Sequence, residues 1–120
     1  MSIQFSDLLS AKARKYGGSA TGVQFRQQAE DACNYTLDDI ERIVGVSTTR
    51  IDQDNEEIAL DQQKYQGLIS LGMDFYMQDN AEFTTQALAG IEKRYDRMMS
   101  DVRRVYVASQ NPKGIRGDMS

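Results

Sequence analysis

Leu88, Ile91, Tyr95, Met98, Val102 and Val105 are spaced 3, 4, 3, 4 and 3 residues apart. That seven-residue repeat puts one apolar stripe on an α-helix and excludes a strand, whose side chains alternate with a period of two. A helix over about residues 82–108 would be roughly 40 Å long at ~1.5 Å per residue. The sole proline, Pro112, lies beyond it, so nothing upstream carries the residue most disruptive of a helix interior.

The rest of the chain follows the same period. Phe5, Leu8, Leu9, Ala13 and Tyr16 predict a first helix from about Asp7, capped by Ser6 and ended by Gly17-Gly18. Thr21 and Gln24 form a capping-box pair before the stripe Phe25, Ala29, Ala32, Cys33, Leu37, Ile40, Ile43 and Val44, with Gly45 as the stop. A second start signal at Thr36-Leu37-Asp38-Asp39 allows a kink or a split there. Residues 46–54 show no period and read as a loop. A third helix is predicted over Asn55–Met77, with an acidic first turn at Asp54, Glu56 and Glu57. Gly72 lies on its apolar stripe, where it costs ~1 kcal/mol relative to Ala and therefore implies close approach of another helix. Asp79-Asn80 makes a short connection, which favours antiparallel neighbours. The expectation is an all-α antiparallel bundle of about four helices, two of them long, over residues 1–108, with a flexible C-terminal tail at 109–120.

Composition narrows the chemistry. The 120 residues contain no His, no Trp and one Cys, and carry a net charge of −4. Without His the chain lacks the commonest general base, metal ligand and neutral-pH switch. A single Cys forms no intrachain disulfide and no Cys-pair zinc site, and suits a reducing cytoplasm. No signal peptide or transmembrane span is evident. Asp52–Glu57 resembles the start of a calcium loop, but the sixth position is Glu57 instead of Gly and the twelfth is Gln63 instead of Glu. Serine nucleophile motifs and phosphate loops are missing, and Cys33 sits on an apolar stripe as a small hydrophobe. Arg116-Gly117-Asp118 is too short a match to an adhesion tripeptide to carry weight. No enzyme activity and no cofactor are expected.

Charge is distributed unevenly. Residues 30–61 hold ten acids against two bases, whereas residues 93–116 hold seven bases against two acids. At 100° per residue Lys93, Arg97 and Arg104 form one line opposite the apolar seam. Lys93 and Arg97, like Glu57 and Asp61, are like charges four apart, which mildly destabilise an isolated helix. A solvated polar face is one reading. The sharper one is that each set meets opposite charge on a neighbouring copy, as in a head-to-tail contact that closes into a ring. A nucleic-acid binder using the basic line is disfavoured by the acidic whole and the lack of interleaved aromatics.

In its pattern of a short opening helix, an Ala-rich helix with Tyr35 and Leu37 ending at Gly45, a polar loop, the helix Ile58–Tyr76, the helix Leu88–Val105 and a polar tail, the chain resembles the head–tail connector (adaptor) proteins of tailed bacteriophages. The resemblance implies a virion neck protein, assembled in the host cytoplasm, that forms a ring, commonly of twelve copies. It further implies contact with a portal protein above and a stopper or tail protein below, around a lumen that passes DNA without reading its sequence. The tail, with Lys113, Ile115 and Arg116, would then be a portal-docking arm. The alternative is a small soluble regulator that binds one partner protein through the heptad seam.

Overall fold

The computed structural model describes residues 2–17, 22–77 and 85–110. In chain order they form β1 (Ile3–Gln4), α1 (Phe5–Tyr16), α2 (Val23–Ile43), β2 (Glu57–Ile58), α3 (Gln62–Tyr76) and α4 (Thr85–Gln110). The four helices make the expected all-α bundle. The Thr21 cap, the Asp79-Asn80 connection and residues 111–120 of the C-terminal tail lie outside the described residues. The expected boundary at 108 moves, because α4 continues to Gln110.

Two local interactions correct the predicted helix starts. Phe5 donates its backbone N–H to the Glu56 carbonyl, and Ile3 pairs with Ile58 across a two-residue antiparallel ladder. Ser6 is therefore already inside α1, and Gln4 occupies the cap position. The same ladder holds Glu57 and Ile58 extended, so α3 begins at Gln62 instead of Asn55. Asp61 caps it by accepting the Lys64 N–H at 3.1 Å. With 15 residues α3 is short, and the two long helices are α2, with 21, and α4, with 26. Ile3 and Ile58 are both buried, and apolar burial outweighs the helical spacing read there.

Two glycine stops behave as predicted. Gly17 and Gly45 adopt φ of 73° and 97°, the left-handed region open to glycine at no steric cost. Of the kink or split allowed at Thr36, the split does not occur: α2 runs unbroken from Val23 to Ile43. The Thr36 hydroxyl donates to the Ala32 carbonyl at 2.9 Å, which lets a buried Thr sit inside a continuous helix.

The irregular segment between α2 and β2 is stapled to α2 by polar side chains. Asn34 donates to the Ile51 carbonyl at 3.0 Å and accepts the Ile51 N–H at 2.8 Å, which seats the buried Ile51 side chain. Glu41 accepts the Thr48 N–H at 2.7 Å and Arg50 at 2.9 Å, and Arg50 also reaches Asp38. The Arg50 bond, reinforced by Thr48, holds the Glu41 carboxyl below its usual pKa.

α2 and α3 run antiparallel. The Tyr35 ring packs on Tyr76 with centroids 5.4 Å apart, and Thr36 faces Gly72. α3 and α4 are antiparallel as well, with Gly67 against Met98 and Gly72 against Tyr95. The close approach anticipated at Gly72 is present and involves both neighbours. A Cβ there would lie 2.5 Å from Thr36 and 2.8 Å from Tyr95.

The seam of α4 departs from the heptad. Ile91, Tyr95 and Met99 are buried and Val102 and Tyr106 are partly buried, whereas Met98 is 37% exposed and Val105 is 55% exposed. An α-helix has 3.6 residues per turn, so a strict seven-residue stripe drifts ~20° per heptad around a straight rod. The core follows the straight line. Met98 and Val105 are left on its flank.

Candidate assembly surface

Two buried polar clusters tie the helices of the bundle together. Asp74 on α3 accepts Lys12 Nζ and Lys15 Nζ at 2.8 Å each and the Tyr16 hydroxyl, tying α1 to α3. Burial pushes the Asp74 pKa up, but the bonds from Lys12, Lys15 and Tyr16 outweigh it and hold the carboxyl below its usual range. Lys12 shows the opposite balance: loss of water lowers its pKa more than Asp74 raises it. Asp39 on α2 accepts Tyr76 at 2.5 Å, Tyr95 at 2.8 Å and Arg42 at 2.7 Å, joining α2 to α3 and α4. Lys12 also donates to the Ser70 hydroxyl at 2.9 Å. Cys33 is buried and its thiol is pushed up to about 12, chiefly by burial, which disfavours the reactive thiolate.

The tyrosines of these clusters set an alkaline limit on stability. Burial first, then the bond to a carboxylate, raises the pKa of Tyr16, Tyr76 and Tyr95 above the ordinary 10.0. The folded chain keeps protons that the unfolded chain releases. Stability is thus fully present below pH 10 and declines as pH rises above it. In an alkaline titration these phenols should ionise only as helical circular dichroism is lost. Smooth ionisation of all six tyrosines near pH 10 with the helices intact would contradict the assignment.

The acids predicted to form a partner-seeking patch are mostly engaged within the chain. Arg26 lies 3.7 Å from Glu30 and 3.5 Å from Glu56, while Asp38 and Glu41 hold Arg50. Asp39 is in the tyrosine cluster. Asp52 accepts the N–H groups of Asp54 and Asn55. Glu57 lies in β2 and accepts from the Ser2 hydroxyl, and Asp61 caps α3. Glu57 and Asp61 therefore do not share a helix face, which corrects the like-charge pair read from their spacing. The strand and the cap, rather than a helical turn, fix their positions.

α4 presents the opposite case. It enters the core along one edge only, and Lys93, Arg97 and Arg104 are all exposed on the far side, as their spacing predicted. Arg104 reaches Asp101 at 2.9 Å, an exposed pair worth ~0–1 kcal/mol. Among the described residues Lys93 and Arg97 make no ion pair. Arg94 and Arg97 also flank a shallow cleft with Met98, Leu71 and Ser70. The cations and the displaced apolar side chains Met98, Val105 and Val107 together give α4 a mixed, unpartnered surface. The heptad seam itself is closed to a partner, because Ile91 and Tyr95 face the bundle interior. Lys113, Ile115 and Arg116 lie outside the described residues.

No helix among the described residues is long and apolar enough to cross a membrane. No protein family, curated protein or solved structure matches this chain. The exposed apolar positions were hidden from the sequence by the apparent heptad; the alternative apolar stripe through Met99 and Tyr106 was the available signal.

Proposed function

We propose that the protein is a structural assembly protein without chemistry of its own: a ring-forming adaptor between the portal and the tail of a tailed phage. In this reading copies of the chain, twelve by analogy with the connectors it resembles, surround a DNA channel in the virion neck. A portal protein contacts one face, and a stopper or tail protein contacts the other. The observation that carries the reading is the outward face of α4, a 26-residue helix anchored along one edge and lined with Lys93, Arg97 and Arg104. Like charges in a row on an exposed helix weaken it slightly in isolation, so a partner of opposite sign gives them a use. Other copies of the chain, which holds 18 acids against 14 bases, would supply that sign.

The deciding experiment is mass by light scattering over a range of concentrations, with and without a portal ring. The native chain should gain mass. The triple variant Lys93→Glu, Arg97→Glu, Arg104→Glu should remain a single chain, with far-ultraviolet circular dichroism unchanged because all three side chains are exposed. Normal assembly by that variant would remove the charge-matching argument, and a native chain that ignores the portal under all conditions would remove the connector reading.

A further inference from the structure

Among the described residues every large apolar or aromatic side chain left exposed lies on one of two helices: Val23 and Tyr35 on α2, and Met98, Val105 and Val107 on α4. The two helices differ in charge. α4 carries five bases against three acids, whereas residues 23–61, which are α2 and the segment stapled to it, hold ten acids against three bases. Tyr35 is 55% exposed, and Asp31 and Asp38 stand one turn to either side of it on the outward face of α2. We propose that this face is the docking surface for α4 of a second copy, with Arg97 set against Asp31, Arg104 against Asp38, and the Tyr35 ring between the two guanidinium groups. This docking rests on the reading that copies assemble, and gives the basic line the surface it meets.

Three features fit these two faces to each other. The first is spacing. Asp31 and Asp38 are seven residues apart, as are Arg97 and Arg104, so each pair spans two turns, ~10.5 Å, on one side of its helix. The second is direction. α2 and α4 are each antiparallel to α3 and so point the same way within a chain. Copies related by rotation about an axis along the helices therefore present them to each other as parallel rods. In that alignment Gln27, Asp31, Tyr35 and Asp38 meet Lys93, Arg97, Asp101 and Arg104 in order, with no like-charge pair. The third is charge left uncancelled. Asp31 accepts from the Gln27 amide at 2.9 Å, a neutral donor, and Asp38 shares the one cation of Arg50 with Glu41. Arg97, which makes no ion pair among the described residues, brings a cation to them. Tyr76 steadies the Tyr35 ring from within the chain, with centroids 5.4 Å apart, and the exposed remainder offers a guanidinium a π face.

The test is a charge exchange, read as light-scattering mass against concentration in the condition, with or without a portal ring, in which the native chain gains mass. Asp31→Arg and Arg97→Glu, each alone, should raise the concentration needed for assembly about tenfold, and Tyr35→Ser should raise it as well. The double variant Asp31→Arg, Arg97→Glu, in which the two charges trade places, should assemble near the native concentration, because residues in contact do not act additively. Helical circular dichroism should be unchanged throughout, since all three side chains are exposed. Single variants that assemble like the native chain, or a double variant no better than either single one, would overturn this docking and leave assembly through α4 standing. A native chain that stays single at every concentration in both conditions would instead remove the assembly reading, and this contact with it.

Discussion

Asp74→Ala is expected to lower the free energy of unfolding by about 3–5 kcal/mol, the range found when one partner of a buried ion pair is removed. The loss is large because of what remains. The Lys12 side chain is 4% exposed, and its ammonium has only the Ser70 hydroxyl, 2.9 Å away, to replace the carboxylate. Lys15 contributes less, since its side chain is half exposed and returns to water at little cost. Chemical denaturation at pH 7 measures the effect. The double variant Lys12→Met, Asp74→Leu should recover most of it, because two apolar side chains of similar volume replace the pair without a stranded charge. The sign with pH follows from the carboxyl. Its folded pKa lies below the ordinary 3.8, so the stabilisation is present above pH 3.8 and fades as the pH falls toward the folded value. The gap between native chain and Asp74→Ala should therefore narrow in acid. A gap that is constant down to pH 2 would mean that the carboxylate charge is not its source.

Gly72→Ala should cost about 2 kcal/mol net, although alanine favours a helix interior by ~1 kcal/mol. Both neighbours are fixed. Thr36 is β-branched and its hydroxyl is tied to the Ala32 carbonyl, and Tyr95 is held by its bond to Asp39. The new methyl therefore forces α3 away from both α2 and α4. Gly90→Ala is the matched control, since nothing lies within 4 Å of its Cβ position, and it should stabilise the chain by about 1 kcal/mol. Opposite signs in thermal unfolding are the expected result. A stabilised Gly72→Ala would show that the packing at Thr36 and Tyr95 is looser than described.

The elements whose reason lies in local sequence were readable in advance. Apolar spacing located the four helices, Gly17 and Gly45 marked two of their ends, and the interior glycine at 72 signalled a close contact. Interactions between distant residues were not readable. Nothing near Glu57 announces that Ile58 pairs with Ile3, so the segment read as the first turn of a helix. Nothing in the sequence near Lys12, Asp39 and Asp74 announces their burial, because only the fold brings their partners to them. The basic line on α4 was legible because it depends on helical geometry alone. The fate of the acids between residues 30 and 61 was not, because most are engaged by a residue that the loop brings near or that the helix presents.

The drift of the α4 seam bears on how α4 sits against its own chain. A strict heptad makes neighbouring helices wind about each other into a left-handed rope. α4 instead buries a stripe through Ile91, Tyr95, Met99, Val102 and Tyr106, which at 100° per residue stays on one side of a straight helix. With that edge spent on its own chain, α4 can meet another molecule only through its outward side.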